Sequence, residues 1–354
     1  MSSLTAAPLL QPLDAGALEL PNRILMAPMT RLRTLPDLSM QPIAETYYAQ
    51  RASAGLIISE VLTVAPYGAG YGAMPALITD AQKASWKKIV DAVHAAGGRI
   101  AAQLWHSGRV RLAEEFANDD GPFAAPRHPL MPATLSREDL AAMPRDFAAG
   151  ARAAIDIGFD AVEIHAGNAM FLANILRGDA NQRTDEFGGS ADNRARLLLN
   201  ILEAVTNVAG ASRVGVKIAP NSSFQGRFDP TVRETFARLL PRLAALGLAY
   251  VQVNRASTVD LASCTGETTP LEWVRQHYPG TLVGAENFGL EDGAHAVAGG
   301  TLDAIAYGRP FIANPDLPAR FAQGAPLNEL RGDPYFVDGE RGYIDYPALE
   351  SVEA

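Results

Sequence analysis

The chain has 354 residues, 48% of them hydrophobic, and a formal charge of -9 from 30 Lys and Arg against 39 Asp and Glu, with a pI near 5.2. An acidic chain without a Lys/Arg run argues against nucleic acid or anionic membrane as a partner. A small molecule is the expected partner, and the protein is expected to be a monomer or a small homo-oligomer. The one cysteine, Cys264, excludes an internal disulfide and any multi-cysteine metal or iron–sulfur site, so no metal is expected. The N-terminus has no basic segment followed by an apolar stretch, and no apolar run approaches the ~20 residues that span a bilayer. A cytoplasmic location is the simplest expectation.

Short apolar segments rich in β-branched residues occur at 23–27, 56–60, 99–104, 160–165, 214–218, 249–253, 281–285 and 303–307. Helical patterns lie between most of them, among them Asp80–Ala96, Ser136–Ile157, Asn193–Val208 and Pro230–Leu246, ending at turns that contain Gly. Ser136 and Asp139 have capping-box spacing, with Asp in place of the usual Glu or Gln. Eight strand–helix repeats predict an α/β fold with a parallel sheet closed as a (β/α)8 TIM barrel. An open doubly wound sheet is the alternative, because counting strands does not show closure.

No linker or composition shift divides the chain, so residues 1–354 read as a single domain. Residues 106–135, with Pro122, Pro126, Pro129 and Pro132, form an excursion after the third strand, and residues 325–354 form a C-terminal tail. Excursions after barrel strands lie at the C-terminal face, which makes the first a candidate lid or pocket wall.

Several segments carry chemistry. Val162-Glu163-Ile164-His165-Ala166-Gly167-Asn168-Ala169-Met170 ends the fourth strand and is followed by the Asn181–Ser190 stretch. Ala27-Pro28-Met29-Thr30-Arg31 follows the first strand, Gln103-Leu104-Trp105 ends the third, and Val214-Gly215-Val216-Lys217-Ile218 is the fifth. Glu286-Asn287-Phe288 follows the seventh strand and Tyr307-Gly308-Arg309-Pro310 the eighth. In order and spacing over nearly the whole chain, these segments resemble the Old Yellow Enzyme family of FMN-dependent alkene reductases.

The resemblance implies an NAD(P)H-dependent flavin oxidoreductase that takes hydride from NADPH or NADH and passes it through flavin N5 to an activated alkene. It places Ala27, Pro28, Met29, Thr30 and Val61 beside the flavin, with the Thr30 hydroxyl at the C4 carbonyl, where a hydrogen bond favours the reduced ring. Gln103 would bond the ring edge. Lys217 stands where the family usually has Arg, and it supplies the charge without the bidentate fork. Asn287, Phe288, Gly308 and Arg309 would hold the phosphate, in the loops where a barrel usually binds one. Glu286 beside a phosphate would be repulsive unless its side chain points away.

On the substrate side, His165 and Asn168 would donate to the acceptor oxygen, and His165 would also face the flavin. Trp105, Met170, Phe336 and Thr30 would line the substrate pocket. The family's proton-donating Tyr is replaced by Met170, which has no proton to give, so water or another group must protonate the product. Phe336 lacks a hydroxyl where relatives often have a Tyr. Tyr67 and Tyr71 read as surface residues. The pocket reads as more apolar than usual, which leaves isomerisation or desaturation with oxygen as alternative outcomes on the same scaffold. A low-turnover flavin-binding protein is the remaining alternative, and retention of His165 and Asn168 speaks against it.

Overall fold

The computed structural model describes residues 6–66, 74–107, 135–168, 170–223, 227–262, 264, 266–332 and 339–349. Most of the 106–135 excursion, part of the tail, and the pocket residue Phe336 lie outside the described residues, as do Tyr67 and Tyr71.

The chain opens with a hairpin of β1 (Leu13–Ala15) and β2 (Leu18–Leu20). Eight parallel strands follow: β3 (Ile24–Met26), β4 (Ile57–Thr63), β5 (Ile100–Trp105), β6 (Ala161–Ala166), β7 (Val214–Ile218), β8 (Tyr250–Asn254), β9 (Leu282–Ala285) and β10 (Ala304–Tyr307). β10 pairs with both β9 and β3, so the sheet closes as the (β/α)8 barrel and the open-sheet alternative is excluded. Every residue of these strands is buried, as expected of a parallel sheet covered on one side by helices and filled on the other by its own side chains.

Two of the long helices start at capping boxes. In the capping box at Ser136, the Asp139 amide donates to the Ser136 hydroxyl at 3.0 Å and the Ser136 amide donates to the Asp139 carboxylate at 3.0 Å, so Asp serves where Glu is usual. Thr79 and Gln82 do the same for the helix Asp80–Ala95. Each of these helices turns one apolar stripe to the sheet, Trp86, Ile89, Val90 and Val93 in one and Leu140, Met143, Phe147 and Ala151 in the other.

The N-terminal hairpin was not legible in the sequence, since three-residue strands carry almost no periodic signal. It closes the bottom of the barrel: Ala15, Leu18 and Leu20 pack on the small interior residues Ala101, Ala161, Ala249 and Ala304. Its turn begins at Gly16, with φ of 64°. A Cβ there would lie 2.4 Å from the Ser212 carbonyl oxygen, so both the turn and the close approach require glycine.

β4 carries an irregularity between Ile58 and Val61. This bulge turns Ser59 towards β5, where its hydroxyl accepts from the Gln103 amide at 3.1 Å. It also aims Glu60 at the loop after β3, where the amides of Arg31 and Leu32 donate to its carboxylate at 3.0 and 3.3 Å. No helix among the described residues is long and apolar enough to cross a membrane.

Gly16→Ala should destabilise the protein by roughly 1–3 kcal/mol, the usual cost of a strained left-handed residue. Urea unfolding followed by circular dichroism measures it, and an unchanged midpoint would contradict the tight seat of the hairpin.

Candidate active site

The loops at the C-terminal ends of the strands enclose two adjoining cavities. The larger, of about 620 Å³, is lined by Ala27, Pro28, Met29, Thr30 and Arg31 after β3, by Lys217 on β7, by Ala285–Gly289 after β9 and by Tyr307–Pro310 after β10. The smaller, of about 170 Å³, is lined by Pro28, Thr30, Val61, Met74, Gln103, Trp105, His165, Asn168, Met170 and Lys217. Pro28, Thr30, Asn168 and Lys217 line both. All the site residues named from sequence and described in the structure therefore meet in one region, Gly308, Arg309, Asn287 and Phe288 at its far end.

Lys217 is only 7% exposed, and its ammonium has no hydrogen bond or ion pair among the described residues. Burial lowers its pKa from the ordinary lysine value, while the carboxylates of Glu163 and Glu286 pull it back up. A desolvated cation that opens only onto a cavity is a site for an anionic or electron-rich group.

His165 and Asn168 are fixed as neutral donors. The Gly167 amide donates to His165 Nδ1 at 3.2 Å, so the ring proton sits on Nε2. Burial, with the nearby Lys217 charge adding to it, lowers the His165 pKa to about 3. Asn168 has φ of 53°, a left-handed conformation that Asn tolerates better than most residues. Its Oδ1 accepts from Asn254 Nδ2 at 3.2 Å, which leaves its own amide protons for the cavity.

Gln103 donates through Nε2 to the Glu163 carboxylate at 2.7 Å. One of its two amide protons is thus committed to the barrel interior, and its carbonyl remains for a ligand. The Thr30 hydroxyl has no partner among the described residues. Met170 caps no backbone group and packs with Leu32, Val61, Met74 and Trp105 as an apolar wall.

At the other end, Glu286 and Asn287 both have positive φ, 80° and 55°. Arg255 holds this strained loop. It donates to the carbonyls of Glu286, at 2.7 Å, and Asn287, stacks 4.0 Å from the Phe288 ring centre and pairs with Asp292 at 2.8 Å. Arg309 donates to Asn287 Oδ1 at 2.5 Å. Glu286 does not point wholly away from the cavity: it lines the larger one, and its Oε1 accepts from Asn287 Nδ2 at 3.1 Å. A Cβ on Gly308 would meet no protein atom closer than the Met29 sulfur at 3.6 Å, so the protein itself does not demand glycine there. The open space faces the cavity, where a ligand could approach the backbone closely.

Sequence reasoning missed Leu32, Met74, Arg255 and Glu163. Glu163 had a signal, since alternation along β6 puts it on the same interior face as His165. Arg255 had none, because its partners are loop carbonyls.

Residues 8–328 match the NADH:flavin oxidoreductase / NADH oxidase family. The chain belongs to this family. Among curated members it is 36% identical to 12-oxophytodienoate reductase 1 of Oryza sativa subsp. japonica, over 100% of this chain and 96% of that one, and 36% identical to 12-oxophytodienoate reductase 2 of Arabidopsis thaliana, over 98% and 97%. Among solved structures, morphinone reductase superposes with a TM-score of 0.88 at 38% identity, covering 98% of this chain and 97% of that one. The old yellow enzyme homologue from Zymomonas mobilis gives 0.87 at 34% identity, covering 96% and 99%. As a member of the NADH:flavin oxidoreductase family, the protein is an FMN-dependent, NAD(P)H-dependent oxidoreductase.

His165 should remain neutral, protonated on Nε2 alone, from pH 9 down to pH 5. Nitrogen chemical shifts of the labelled imidazole follow this, and a titration between pH 5 and 8 would contradict the buried, Nδ1-accepting geometry.

Proposed function

We propose that the protein reduces activated alkenes such as enones, enals or nitroalkenes. The carrying observation is that one unpaired cation, Lys217, and two fixed neutral donors, His165 and Asn168, converge on joined cavities large enough for a flavin and a small acceptor. When bound, FMN would supply two-electron hydride chemistry between NADH or NADPH and the alkene. The residues present fit that cofactor: the Lys217 ammonium suits the electron-rich side of the ring, and Gly308 and Arg309 leave space and charge for the phosphate. Thr30 and Gln103 offer a donor and an acceptor for the ring edge, with Ala27, Pro28, Met29 and Val61 against it. Asn287 and Phe288 would complete the phosphate end.

In this reading His165 Nε2–H and the Asn168 amide hold the acceptor oxygen and stabilise the negative charge that grows there as the β-carbon is reduced. A donor placed in this way is worth ~3 kcal/mol of barrier. The same pair suits the carboxamide of a reduced nicotinamide, and a structure of the related morphinone reductase contains tetrahydroNAD. Trp105, Met170, Met74 and Leu32 exclude water from one side of the acceptor. Met170 cannot protonate it, and no tyrosine or carboxyl group lines the smaller cavity among the described residues. Water or another group supplies the proton in this account.

The test is anaerobic. Reduced holoenzyme is mixed with 2-cyclohexenone or a nitroalkene while flavin absorbance and product are followed. Reoxidation with saturated product supports the reading; a flavin that stays reduced until oxygen enters favours desaturation. His165→Ala and Asn168→Ala should each slow this half-reaction by ~10²-fold or more, with much smaller effects on FMN content. Met170→Tyr should accelerate it towards the ~10²–10⁴-fold that a positioned acid contributes. An unchanged or slower rate would show that protonation by water is not limiting.

A further inference from the structure

Below the cavities the barrel interior holds a carboxylate that the site chemistry does not use. Glu163 lies on β6 two residues before His165, paired in register with Gln103 on β5 and with Gly215 on β7. It is fully buried. Its Oε1 accepts from Gln103, and its Oε2 has no partner among the described residues. The neighbouring space is shaped for polar contents. Gln252, in register with Lys217, has neither amide atom satisfied. The Tyr250 hydroxyl approaches Glu163 without completing a hydrogen bond. Four unmet buried polar atoms, two on Gln252 and one each on Glu163 and Tyr250, call for ordered water in the barrel interior.

The charges facing Glu163 are few. Lys217 on β7 is the cation, more than 4 Å away since no ion pair forms, and Glu286 also acts on Lys217. His165, on Glu163's own strand, is neutral, and Tyr250 on β8 is held protonated by burial and by Glu163 itself. Gln103 on β5 is uncharged. Gly215 leaves the room that the Tyr250 ring occupies, since a Cβ there would lie 2.4 Å from it. Burial pushes the Glu163 carboxyl up to about 7, with Lys217, Gln103 and Tyr250 pulling the other way.

We propose that Glu163 is a positioning residue for charge under the flavin: ionised beneath the oxidised ring, where it balances Lys217, it takes up one proton from solvent when the ring becomes negative, so that Lys217 acts on the ring alone. The proposal rests on the reading that Lys217 faces the flavin. The balance is simple. Hydride from the reductant would bring the ring two electrons and one proton, Glu163 would gain one proton from solvent, and nothing else is oxidised or reduced.

The experiment is potentiometry of bound FMN from pH 6 to 9 in the wild type, Glu163→Gln and Lys217→Met. One proton per two electrons gives a slope of about 30 mV per pH unit, the equivalent of tenfold in a two-electron equilibrium. The wild type should follow this slope below pH 7 and steepen to about 60 mV per pH unit above it. Glu163→Gln should keep the shallow slope throughout and lie above the wild type at pH 8, by roughly tenfold in the equilibrium constant. A wild-type slope that never steepens, or a steep limb that survives in Glu163→Gln, overturns the proposal, and the first of these needs no variant to fold. Lys217→Met separates the two levels of the argument. If it lowers the potential while Glu163→Gln changes nothing, the proposal fails and the flavin reading stands. If Lys217→Met leaves the potential in place, the flavin reading itself fails.

Discussion

The structure turns on one desolvated ammonium. Lys217 is buried at the mouth of a barrel, faces a cavity, and has no ion pair among the described residues. A charge so placed is costly unless something opposite fills the space. Two carboxylates stand at a distance from it, Glu163 below and Glu286 to one side, and neither reaches it. The cavity is thus electrostatically prepared for a group that brings negative charge, and the family's cofactor is such a group. His165 illustrates the same constraint from the other direction. Beside Lys217 and out of water it cannot afford a second positive charge, so it stays neutral with its proton on Nε2.

The loops that carry the ends of the site are held by arginines rather than by regular structure. Arg255 clamps the two left-handed residues after β9 by their carbonyls, which offsets the strain of placing Glu and Asn where glycine would be easiest. On the other side, Arg31 donates to the Gly342 carbonyl at 2.7 Å and to the Tyr47 hydroxyl at 3.1 Å. Arg51 donates to the carbonyls of Phe311 and Ile312, at 2.9 and 3.1 Å, and Tyr47 stacks on Tyr343 with ring centres 4.1 Å apart. The helix Ile43–Ala49 and its flank thereby tie the Thr30 loop, the turn after β10 and the C-terminal tail into one unit. Gly342 and Tyr343 of the tail thus help to support the cavity wall, a role the sequence did not announce.

Much of the fold was readable because each barrel strand is a short apolar run set off by turn residues, and the helices Asp80–Ala95, Arg137–Asp156 and Ala191–Ala209 carry a capping residue and an apolar stripe. Strand limits differ from the sequence reading by a few residues at most. Closure was expected from the eight repeats, though counting strands does not show it and the pairing of β10 with β3 does; the hairpin plug was not readable. His165, Asn168, Gln103 and Gly308-Arg309 were legible as members of spaced motifs. Met74 and Leu32 were not, because only the folded loops bring them to Met170. Glu163 shows the boundary well: alternation gave its direction, but its isolation beneath the site depends on Gly215, Tyr250 and Gln252 arriving from two other strands.

The most direct measurement is a crystal structure of the protein with FMN, read at the Lys217 ammonium. The account predicts the nitrogen within hydrogen-bond distance of the flavin ring, ~2.7–3.2 Å, with the phosphate at Gly308 and Arg309 and the Gln103–Glu163 bond intact beneath. A flavin whose ring lies away from Lys217, or a Lys217 turned down into an ion pair with Glu163, would contradict it.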